Sequence, residues 1–438
     1  MLYQKELPVK YIADVCVVGS GPSGIAAAVT AARQGADVFL IESQGCFGGA
    51  GTSAMVPTFV SFTDGVNFLS GGIGKEIFER CYRENPDGMA GKNLGYNIEK
   101  LKKQYDDLIN DAGVRFLFFT YMIDAITENG KVRAIVVASK SGVYLIEASM
   151  FIDCTGDGDL CQRAGAPWVM GDEEGNVMGS TLCSMWEGVD WSKPNPRQDS
   201  FLDQAFADGV FTFEDRHLPG IFPTGKDTGG GNIGHAFGVH GTNEEELTRG
   251  MIEGRRILPE FVHFYHDYVK GPFENAKPVA TGAVLGIRES RRILGDYVLN
   301  IDDYMRHADF DDEIGRFYYG IDMHISEPTK EAFEKFAKDF FVNNYHDGEN
   351  YGIPYRCLVP KNLENVYVAG RCISTDRKVQ SSIRVMPCCF ITGQAAGAAA
   401  ALAAKEGKSS REISVHELQE RLTDMGAYLP NFRRREKE

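Results

Sequence analysis

The amino-acid sequence predicts an α/β fold in which the two ends of the chain build one domain and the middle builds another. A short apolar run at residues 14–18 is followed by glycines and an alanine-rich stretch, in the order strand, turn, helix. Short β-rich runs separated by turn residues follow at about residues 115–152. A third apolar run at residues 365–369 again ends in glycine and precedes an alanine-rich stretch. These observations predict a Rossmann-like sheet that uses both ends of the chain.

Size and composition fit two closely connected domains of an ordinary globular protein. The chain has 438 residues, of which 43% are hydrophobic and 24% are charged, so it can bury a sizeable core. Its net charge of −15 would repel a phosphate backbone. A nucleic-acid partner is therefore not expected.

The cysteines and the N-terminal residues bear on location. Ten cysteines occur without a C-x-x-C pair, so free thiols are expected rather than disulfides or metal ligands. No basic and apolar leader precedes the first strand, and the apolar helix predicted at residues 391–404 is too short to span a bilayer. We therefore expect a cytoplasmic protein with no membrane partner.

The first glycine turn has the spacing of a dinucleotide-binding motif. Gly19 permits the tight turn after the strand, Gly21 lets a pyrophosphate approach the backbone, and Gly24 lets the helix pack closely on the strand. Pro22 and Ser23 open the helix, whose unpaired N–H groups would face the phosphates. The alternative is a glycine-rich turn of a helix-on-sheet fold. The flanking strand and helix favour the dinucleotide.

An acidic residue and a second glycine cluster follow this motif. Glu42 ends the second strand, where its carboxylate can accept hydrogen bonds from ribose hydroxyls. Gly48, Gly49 and Thr52 belong to a cluster that a nicotinamide dinucleotide does not need but an extended FAD does. The predicted cofactor is therefore FAD.

The β-rich runs between residues 114 and 148 are predicted to form a β-meander. An apolar strand at residues 150–153 then leads into another glycine turn. Met122 in the meander is predicted to contact the cofactor, as are Thr155, Gly156 and Asp157 in the turn.

The carboxyl-terminal part of the chain returns to the cofactor. Gly370 and Arg371 close the last strand, and a helix rich in glycine and alanine follows. Such a helix can lie against another backbone or against a flat ring. Its position after the strand favours the ring, so Gln394, Ala395 and Ala396 are predicted to bind the cofactor.

Together these features resemble the bacterial FAD-dependent oxidoreductase family. The resemblance covers nearly the whole chain and rests on residues 17–24, 47–52, 153–159, 286–295, 353–359, 369–372 and 384–397. It implies a glutathione-reductase-type FAD-binding domain, with distant similarity to fumarate reductase flavoproteins. Gly370-Arg371 stands where many members of the wider superfamily have Gly-Asp near the ribityl chain, so that carboxylate contact does not carry over. No histidine follows Gly49, where fumarate-reductase relatives attach flavin, so non-covalent FAD is expected.

The middle of the chain is predicted to be an inserted α+β substrate or cap domain. It comprises residues 166–351, while residues 1–165 and 352–438 form the discontinuous FAD-binding domain.

Sequence patterns in the inserted part predict two strands and a long helix. Alternation of apolar residues predicts strands at residues 181–186 and 232–240. Helical periodicity predicts a helix at residues 244–264, with Thr242 or Asn243 as its N-cap.

Arginines are the predicted substrate-binding groups. Arg288, Arg291 and Arg292 accompany one glutamate between apolar runs, and burying them without anionic partners is costly. A structural ion-pair network is the alternative. The family resemblance, in which this segment approaches the flavin, favours Arg288 and Arg291. With Arg384, they would bind an anionic or hydroxyl-rich substrate or stabilise charge on reduced flavin.

His324 is the predicted proton-transfer residue. With Asp322 it matches an Asp-x-His pattern of the family, and histidine titrates near neutral pH. A satisfied structural histidine is the alternative. His235 and His240 lie five residues apart in the predicted strand, hence on opposite faces, and His240 is the second candidate.

These residues predict an FAD-dependent oxidoreductase, either a dehydrogenase or a reductase. A hydride would pass between flavin N5 and a small polar or anionic substrate, with an unidentified electron donor or acceptor completing the cycle. No metal is expected, and a homo-oligomer is compatible with the sequence. The alternatives are a non-redox or group-transfer flavoprotein and an electron-carrying subunit of a larger complex.

Overall fold

The computed structural model describes residues 1, 4–82, 93–340 and 345–434, and for residues 93, 94 and 337–340 it describes the backbone alone. The helices are α1 (Pro22–Arg33), α2 (Ile73–Tyr82), α3 (Ile98–Asp111), α4 (Asp159–Arg163), α5 (Leu202–Ala207), α6 (Glu244–Phe264), α7 (Ile301–Met305), α8 (Lys330–Phe340), α9 (Arg377–Ile383), α10 (Met386–Glu406) and α11 (Val415–Asp424). The strands are β1 (Val9–Val18), β2 (Val38–Ile41), β3 (Thr58–Val60), β4 (Asn93–Gly95), β5 (Arg115–Leu117), β6 (Tyr121–Glu128), β7 (Lys131–Ser139), β8 (Gly142–Asp153), β9 (Trp168–Val169), β10 (Ser184–Glu187), β11 (Gly220–Pro223), β12 (Thr228–Asn232), β13 (Lys277–Thr281), β14 (Arg292–Ile293), β15 (Glu313–Phe317), β16 (Tyr351–Pro354) and β17 (Val366–Val368).

The largest sheet has seven strands and joins both ends of the chain. Its order is β5-β2-β1-β8-β7-β6, with β17 also paired to β8. Strands β5, β2, β1, β8 and β17 run parallel, and β6, β7 and β8 form an antiparallel meander. The predicted mixed α/β fold with a Rossmann-like sheet is confirmed. The last predicted run of the meander and the strand predicted at residues 150–153 form one strand, β8. This strand pairs with β7 on one side and with β1 and β17 on the other.

Helix α10 packs against α1 with almost no space between the two backbones. A Cβ on Gly393 would lie 2.2 Å from the carbonyl oxygen of Ser23, and one on Gly397 would lie 2.3 Å from that of Ala27. Small residues are required at these positions for that reason. The helix is longer than predicted, and in the described part of the chain it alone has the length and apolarity of a membrane span. Its apolar window is completely buried inside the protein.

Two hydrophobic clusters account for most of the core. The first surrounds the seven-stranded sheet and includes α1, α10 and apolar residues between Ile293 and Ile321. The second contains Trp186, Phe261 and Phe264 and covers the four-stranded sheet β11-β12-β10-β13. The division of the chain at residues 165 and 351 stays a prediction.

Local signals in the middle of the chain gave mixed outcomes. Helix α6 has the predicted bounds, and its N-cap is Asn243, whose side chain accepts hydrogen bonds from two backbone N–H groups. The strand predicted at residues 232–240 is wrong beyond Asn232, because Gly234 and Gly238 have φ of +70° and +59° and break the extended backbone. All ten cysteines are free, as predicted.

Candidate functional site

A cavity of about 870 Å³ opens at the carboxyl ends of β1, β2 and β8. This is the edge at which open parallel sheets bind ligands, because the connecting loops part there. The predicted cofactor residues that line it are Gly19, Gly21, Pro22, Ser23, Glu42, Gly49, Met122, Thr155, Gly156, Asp157 and Arg371. The predicted catalytic residues that line it are Arg288, His324 and Arg384.

The first glycine turn leaves open space where a phosphate would lie. A Cβ on Gly21 would meet no atom within 4 Å, although the residue lines the cavity. Gly21 is also the N-cap of α1, and no side chain caps this helix. Gly19, with φ of +90°, makes the tight turn, and a Cβ on Gly24 would lie 2.0 Å from the Gly19 carbonyl oxygen. An uncapped helix N-terminus beside open space fits the pyrophosphate of the predicted FAD.

Glu42 fixes the loops at this end of the cavity. Its Oε2 accepts hydrogen bonds from the Ser20 backbone N–H at 2.8 Å and from the Ser20 hydroxyl at 2.6 Å. Its Oε1 accepts one from the Gln44 N–H at 2.8 Å. The carboxylate therefore holds both loops while it lines the cavity, and it remains the group predicted to meet a ribose hydroxyl.

Arg371 connects the turn after β8 with the segment that carries Arg288. Its guanidinium donates to the carbonyl oxygens of Gly156 at 2.9 Å and Ile287 at 2.6 Å. It also donates to the carboxylate of Asp157 at 2.6 Å. Arg371 is thus paired with an acid from a neighbouring turn.

Seven predicted cofactor residues do not line the cavity, and packing explains most of these positions. The side-chain oxygen Oε1 of Gln394 accepts a hydrogen bond from the Ile73 N–H at 2.8 Å. The next two residues of α10, Ala395 and Ala396, are buried in the core. Gly370 adjoins the Ser23 hydroxyl, which a Cβ would approach to 2.5 Å. The face of α10 was expected to meet a ring, whereas only its first turn reaches the cavity, through Met386 and Cys389. The seven residues are Gly24, Gly48, Thr52, Gly370, Gln394, Ala395 and Ala396.

The other end of the cavity carries a buried arginine, Arg288, whose hydrogen-bond partners are neutral oxygens. The guanidinium of Arg288 donates to the Gly179 carbonyl at 2.9 Å, the Thr181 hydroxyl at 2.7 Å and the Asn232 side-chain oxygen at 2.9 Å. No carboxylate is bonded to it in the part of the chain that the structure describes. Burial, followed by the charge of Arg384, lowers the pKa of Arg288 to about 10, so it stays protonated at neutral pH.

Arg384 differs because its charge is partly compensated. Its Nη2 donates to the backbone oxygen of Asp322 at 2.7 Å and to the Asp322 carboxylate at 3.1 Å. Burial raises the pKa of Asp322, and both arginines act to lower it. The two arginines together leave this end of the cavity suited to an anionic or strongly polar group.

Two buried histidines, a half-buried histidine and a half-buried aspartate lie together at this end of the cavity. The Asp215 carboxylate lies 2.8 Å from Nδ1 of His235, and Nε2 of His235 lies 2.9 Å from Nδ1 of His324. The ring of His217 stacks on His324 with centroids 4.1 Å apart. His217 and His324 line the cavity, but His235 and Asp215 do not.

Burial keeps two of these imidazoles neutral. It is the main cause that lowers the pKa of His324 well below the ordinary histidine value, and the charge of Arg288 adds to it. Burial, with His235 and then Arg288, lowers the pKa of His217 to about 3. Burial alone would raise the pKa of Asp215, but its interactions with His235 and His217 together outweigh that effect and the pKa is lowered.

The same histidines have the composition of a metal site. One ring nitrogen from each of His217, His235 and His324 lies within 4.8 Å of the others. Nδ1 of His217 is buried without a hydrogen-bond partner among the described residues. The prediction that the chain holds no metal therefore stays a prediction.

Two predicted catalytic residues lie outside the cavity wall. Arg291 donates to the Asp157 carbonyl at 3.1 Å and to the Asp159 carboxylate at 2.8 Å. His240 lies 2.8 Å from the Glu246 carboxylate through Nδ1 and 3.0 Å from the Gly175 carbonyl through Nε2. Both ring nitrogens of His240 thus have partners away from the cavity.

His217, Asp215 and the role of His235 are not predicted by the sequence patterns. A signal for the first two was present, since Asp215 and His217 repeat the Asp-x-His spacing of Asp322 and His324. The strand predicted at residues 232–240 places His235 and His240 on opposite faces, and this incorrect strand favoured His240 over His235. Its separation of 89 residues from His324 could not be bridged by local pattern.

The chain is similar to one family model and to several known proteins. A family model described as FAD dependent oxidoreductase matches residues 14–422. The chain is 27% identical over 313 residues to digeranylgeranylglycerophospholipid reductase of Methanothrix thermoacetophila, covering 66% of this chain and 74% of that protein. It is 30% identical over 317 residues to the protein of the same name from Methanocella arvoryzae. That match covers 66% of this chain and 77% of the relative. A solved geranylgeranyl bacteriochlorophyll reductase-like protein from Thermoplasma acidophilum matches 95% of this chain and 84% of its own, with 15% identity and a TM-score of 0.47.

Proposed function

Because this chain belongs to the FAD-dependent oxidoreductase family, we propose that it transfers a hydride between a small polar or anionic substrate and FAD. When bound, FAD supplies a two-electron acceptor or donor for that hydride. The observation that carries the substrate class is the buried Arg288, which lines the cavity without a carboxylate partner in the described chain.

The glycine-turn end of the cavity is proposed to hold the cofactor. Gly21 and the N-terminus of α1 would receive the pyrophosphate, and Glu42 would accept a hydrogen bond from the ribose. Arg371 would chiefly connect the turn after β8 to the segment that carries Arg288, through its hydrogen bonds to the carbonyl oxygens of Gly156 and Ile287. The residues in these proposed roles line the same cavity as Arg288 and Arg384.

Arg288 is proposed to bind the charged or most polar group of the substrate. A buried guanidinium that donates to neutral oxygens alone gains most from an added anion, because charge-assisted hydrogen bonds are roughly twice as strong as neutral ones. Arg384, paired with Asp322, would orient the same group. This arrangement would fix the substrate carbon relative to the cofactor.

His324 is proposed to accept the proton from the substrate during oxidation, or to return it during reduction. Its ring lines the cavity beside the two arginines. Its lowered pKa keeps the imidazole neutral and able to accept a proton near pH 7.

A second candidate function is reduction of a double bond in an isoprenoid lipid. The names of the two curated relatives describe such lipid reductases. One stretch of the cavity wall would suit a hydrocarbon chain, since Leu218, Phe222, Leu247, Met251 and Leu285 line it. Arg288 suits a charged or polar group of the substrate, whereas these side chains suit a hydrocarbon chain.

Anaerobic flavin bleaching separates these functions. The FAD-loaded protein is mixed with lactate, glucose, glycerol and ethanolamine, one compound each from the hydroxy acids, sugars, polyols and amines. Loss of the oxidised flavin absorbance with any of them supports the proposal. Reoxidation of chemically reduced protein by a geranylgeranyl lipid, without bleaching by the four compounds, supports the second candidate.

Arg288→Met tests the substrate-binding role. It should weaken binding of the anionic probe lactate by about 10- to 100-fold, the loss expected for one charge-assisted hydrogen bond, while FAD stays bound. Arg249→Met is the matched control, because Arg249 also donates to backbone carbonyls but does not line the cavity. Equal lactate affinity in both variants would contradict the role of Arg288.

A further inference from the structure

The chain from Asp215 through His235 to His324 has one consistent arrangement of protons when His235 is neutral. A carboxylate can only accept, so Nδ1 of His235 carries the hydrogen that faces Asp215 at 2.8 Å. Its backbone N–H donates to the same carboxylate oxygen at 3.0 Å, which fixes the pair further. Nε2 of His235 is then an acceptor, and Nδ1 of His324 at 2.9 Å must be the donor.

This arrangement determines which nitrogen of His324 meets the cavity. Nδ1 is occupied by His235, a residue that does not line the cavity, so Nε2 is left without a hydrogen. Nε2 lies 3.5 Å from the Asp322 carboxylate, which is itself paired with Arg384. An unprotonated nitrogen at this point can take a proton from a bound molecule.

We infer that Asp215 and His235 are positioning residues that hold His324 in the Nδ1–H tautomer, so that Nε2 faces the cavity as a base. The inference rests on the proposed function for its catalytic meaning. In the oxidation direction the substrate O–H or N–H bond would break and its proton would bind Nε2, and FAD, when bound, would supply the acceptor for the hydride of the adjacent carbon. The result is an oxidised substrate and an imidazolium at His324.

The charged and titratable neighbours of His324 act in opposite directions on the proton that it would accept. Arg288 and Arg384 carry positive charge and favour the neutral ring, and Asp322 stabilises the imidazolium once it forms. The stacked ring of His217 and the ring of His235 also contact His324, and both act to lower its pKa. Asp215, two imidazoles away from the cavity, stabilises the tautomer without touching the substrate.

The tautomers can be measured without a substrate. In FAD-loaded protein labelled with ¹⁵N-histidine, long-range ¹⁵N–¹H spectra at pH 8 should show His235 and His324 both with hydrogen on Nδ1 and none on Nε2. His235→Phe should convert His324 to the Nε2–H form, because a buried Nδ1–H would lose its acceptor whereas Nε2–H can donate to Asp322. Hydrogen on Nε2 of His324 in the unmodified protein would overturn the inference.

Kinetics test the functional consequence. With whichever of the four probe compounds bleaches the unmodified protein, His235→Phe should slow flavin reduction by about 10- to 100-fold without changing probe affinity or FAD content. His235→Gln should recover part of the rate, because its amide oxygen can accept from Nδ1 of His324. His263→Phe is the control, since His263 pairs with Asp267 on the exposed side of α6. Equal rates for His235→Phe and this control would overturn the positioning role.

Two further outcomes are distinguishable from these. If no probe bleaches the flavin but the tautomers are as expected, the proposed function fails and the arrangement of the chain stands. If the purified protein contains one equivalent of zinc that His217→Phe removes, the three imidazoles form a metal site and the inference is overturned.

Discussion

Replacing His217 by phenylalanine should make the protein less sensitive to acid. The pKa of His217 is lowered by burial from 6.5 to about 3, so the folded protein keeps this ring neutral where an unfolded chain protonates it. The unfolded state therefore binds the extra proton, and the free energy of unfolding falls as the pH falls from 6.5 towards 3. Above pH 6.5 neither state is protonated and the effect vanishes.

The loss of stability depends on how far the pH lies below the ordinary histidine pKa of 6.5. At pH 5 the solution lies about 1.5 units below the ordinary histidine pKa, which corresponds to about 2 kcal/mol of lost stability at 1.36 kcal/mol per unit. Phenylalanine keeps a ring that can stack on His324 and takes up no proton. His217→Phe should thus lose about 2 kcal/mol less stability than the unmodified protein between pH 8 and pH 5.

Urea unfolding of the FAD-loaded protein at pH 8 and pH 5, followed by far-ultraviolet circular dichroism, measures this difference. His263→Phe is the control, because its imidazole is 54% exposed and water solvates it in both states. Equal losses of stability by the unmodified protein and His217→Phe between the two pH values would contradict the proton uptake assigned to His217.

Three further predictions concern the cofactor and the base. Gly21→Leu should fold normally and lose FAD, because its φ of −61° suits any residue and its Cβ meets no protein atom within 4 Å, only the space for the pyrophosphate; stoichiometric FAD in the purified variant would contradict this. Acid or heat should release free FAD from the purified protein, and flavin that stays with the precipitated chain would show a covalent bond. Flavin reduction by an active probe should not slow between pH 8 and pH 7, because burial holds the pKa of His324 well below the ordinary histidine value of 6.5; a rate that falls as the pH drops through this range would contradict its role as the base.

The elements that the sequence predicted well are those with local signals. The strand, glycine turn and helix at residues 14–33 and helix α6 with its Asn243 cap depend on neighbours within a few residues. The strand at residues 232–240 failed for a local reason as well. Its alternating side chains suggested a strand, but Gly234 and Gly238 adopt positive φ and end it.

The parts that could not be predicted depend on tertiary packing. The small residues of α10 are compatible with a ring or a backbone, and the contact with α1 at Gly393 and Gly397 decides for the backbone. The chain from Asp215 through His235 to His324 joins three separate segments, and no spacing rule connects them. Arg288 and Arg291 are close in sequence, yet only Arg288 lines the cavity.

Hydride transfer from a substrate carbon is the central claim, and an isotope effect tests it most directly. The active probe compound, with deuterium in place of hydrogen on its oxidised carbon, is mixed anaerobically with the FAD-loaded protein in a stopped-flow instrument. Breaking the carbon–hydrogen bond in the reduction step predicts slower bleaching of the flavin by the deuterated probe than by the ordinary one. Identical bleaching rates at saturating probe, or FAD that no probe compound bleaches, would contradict the account.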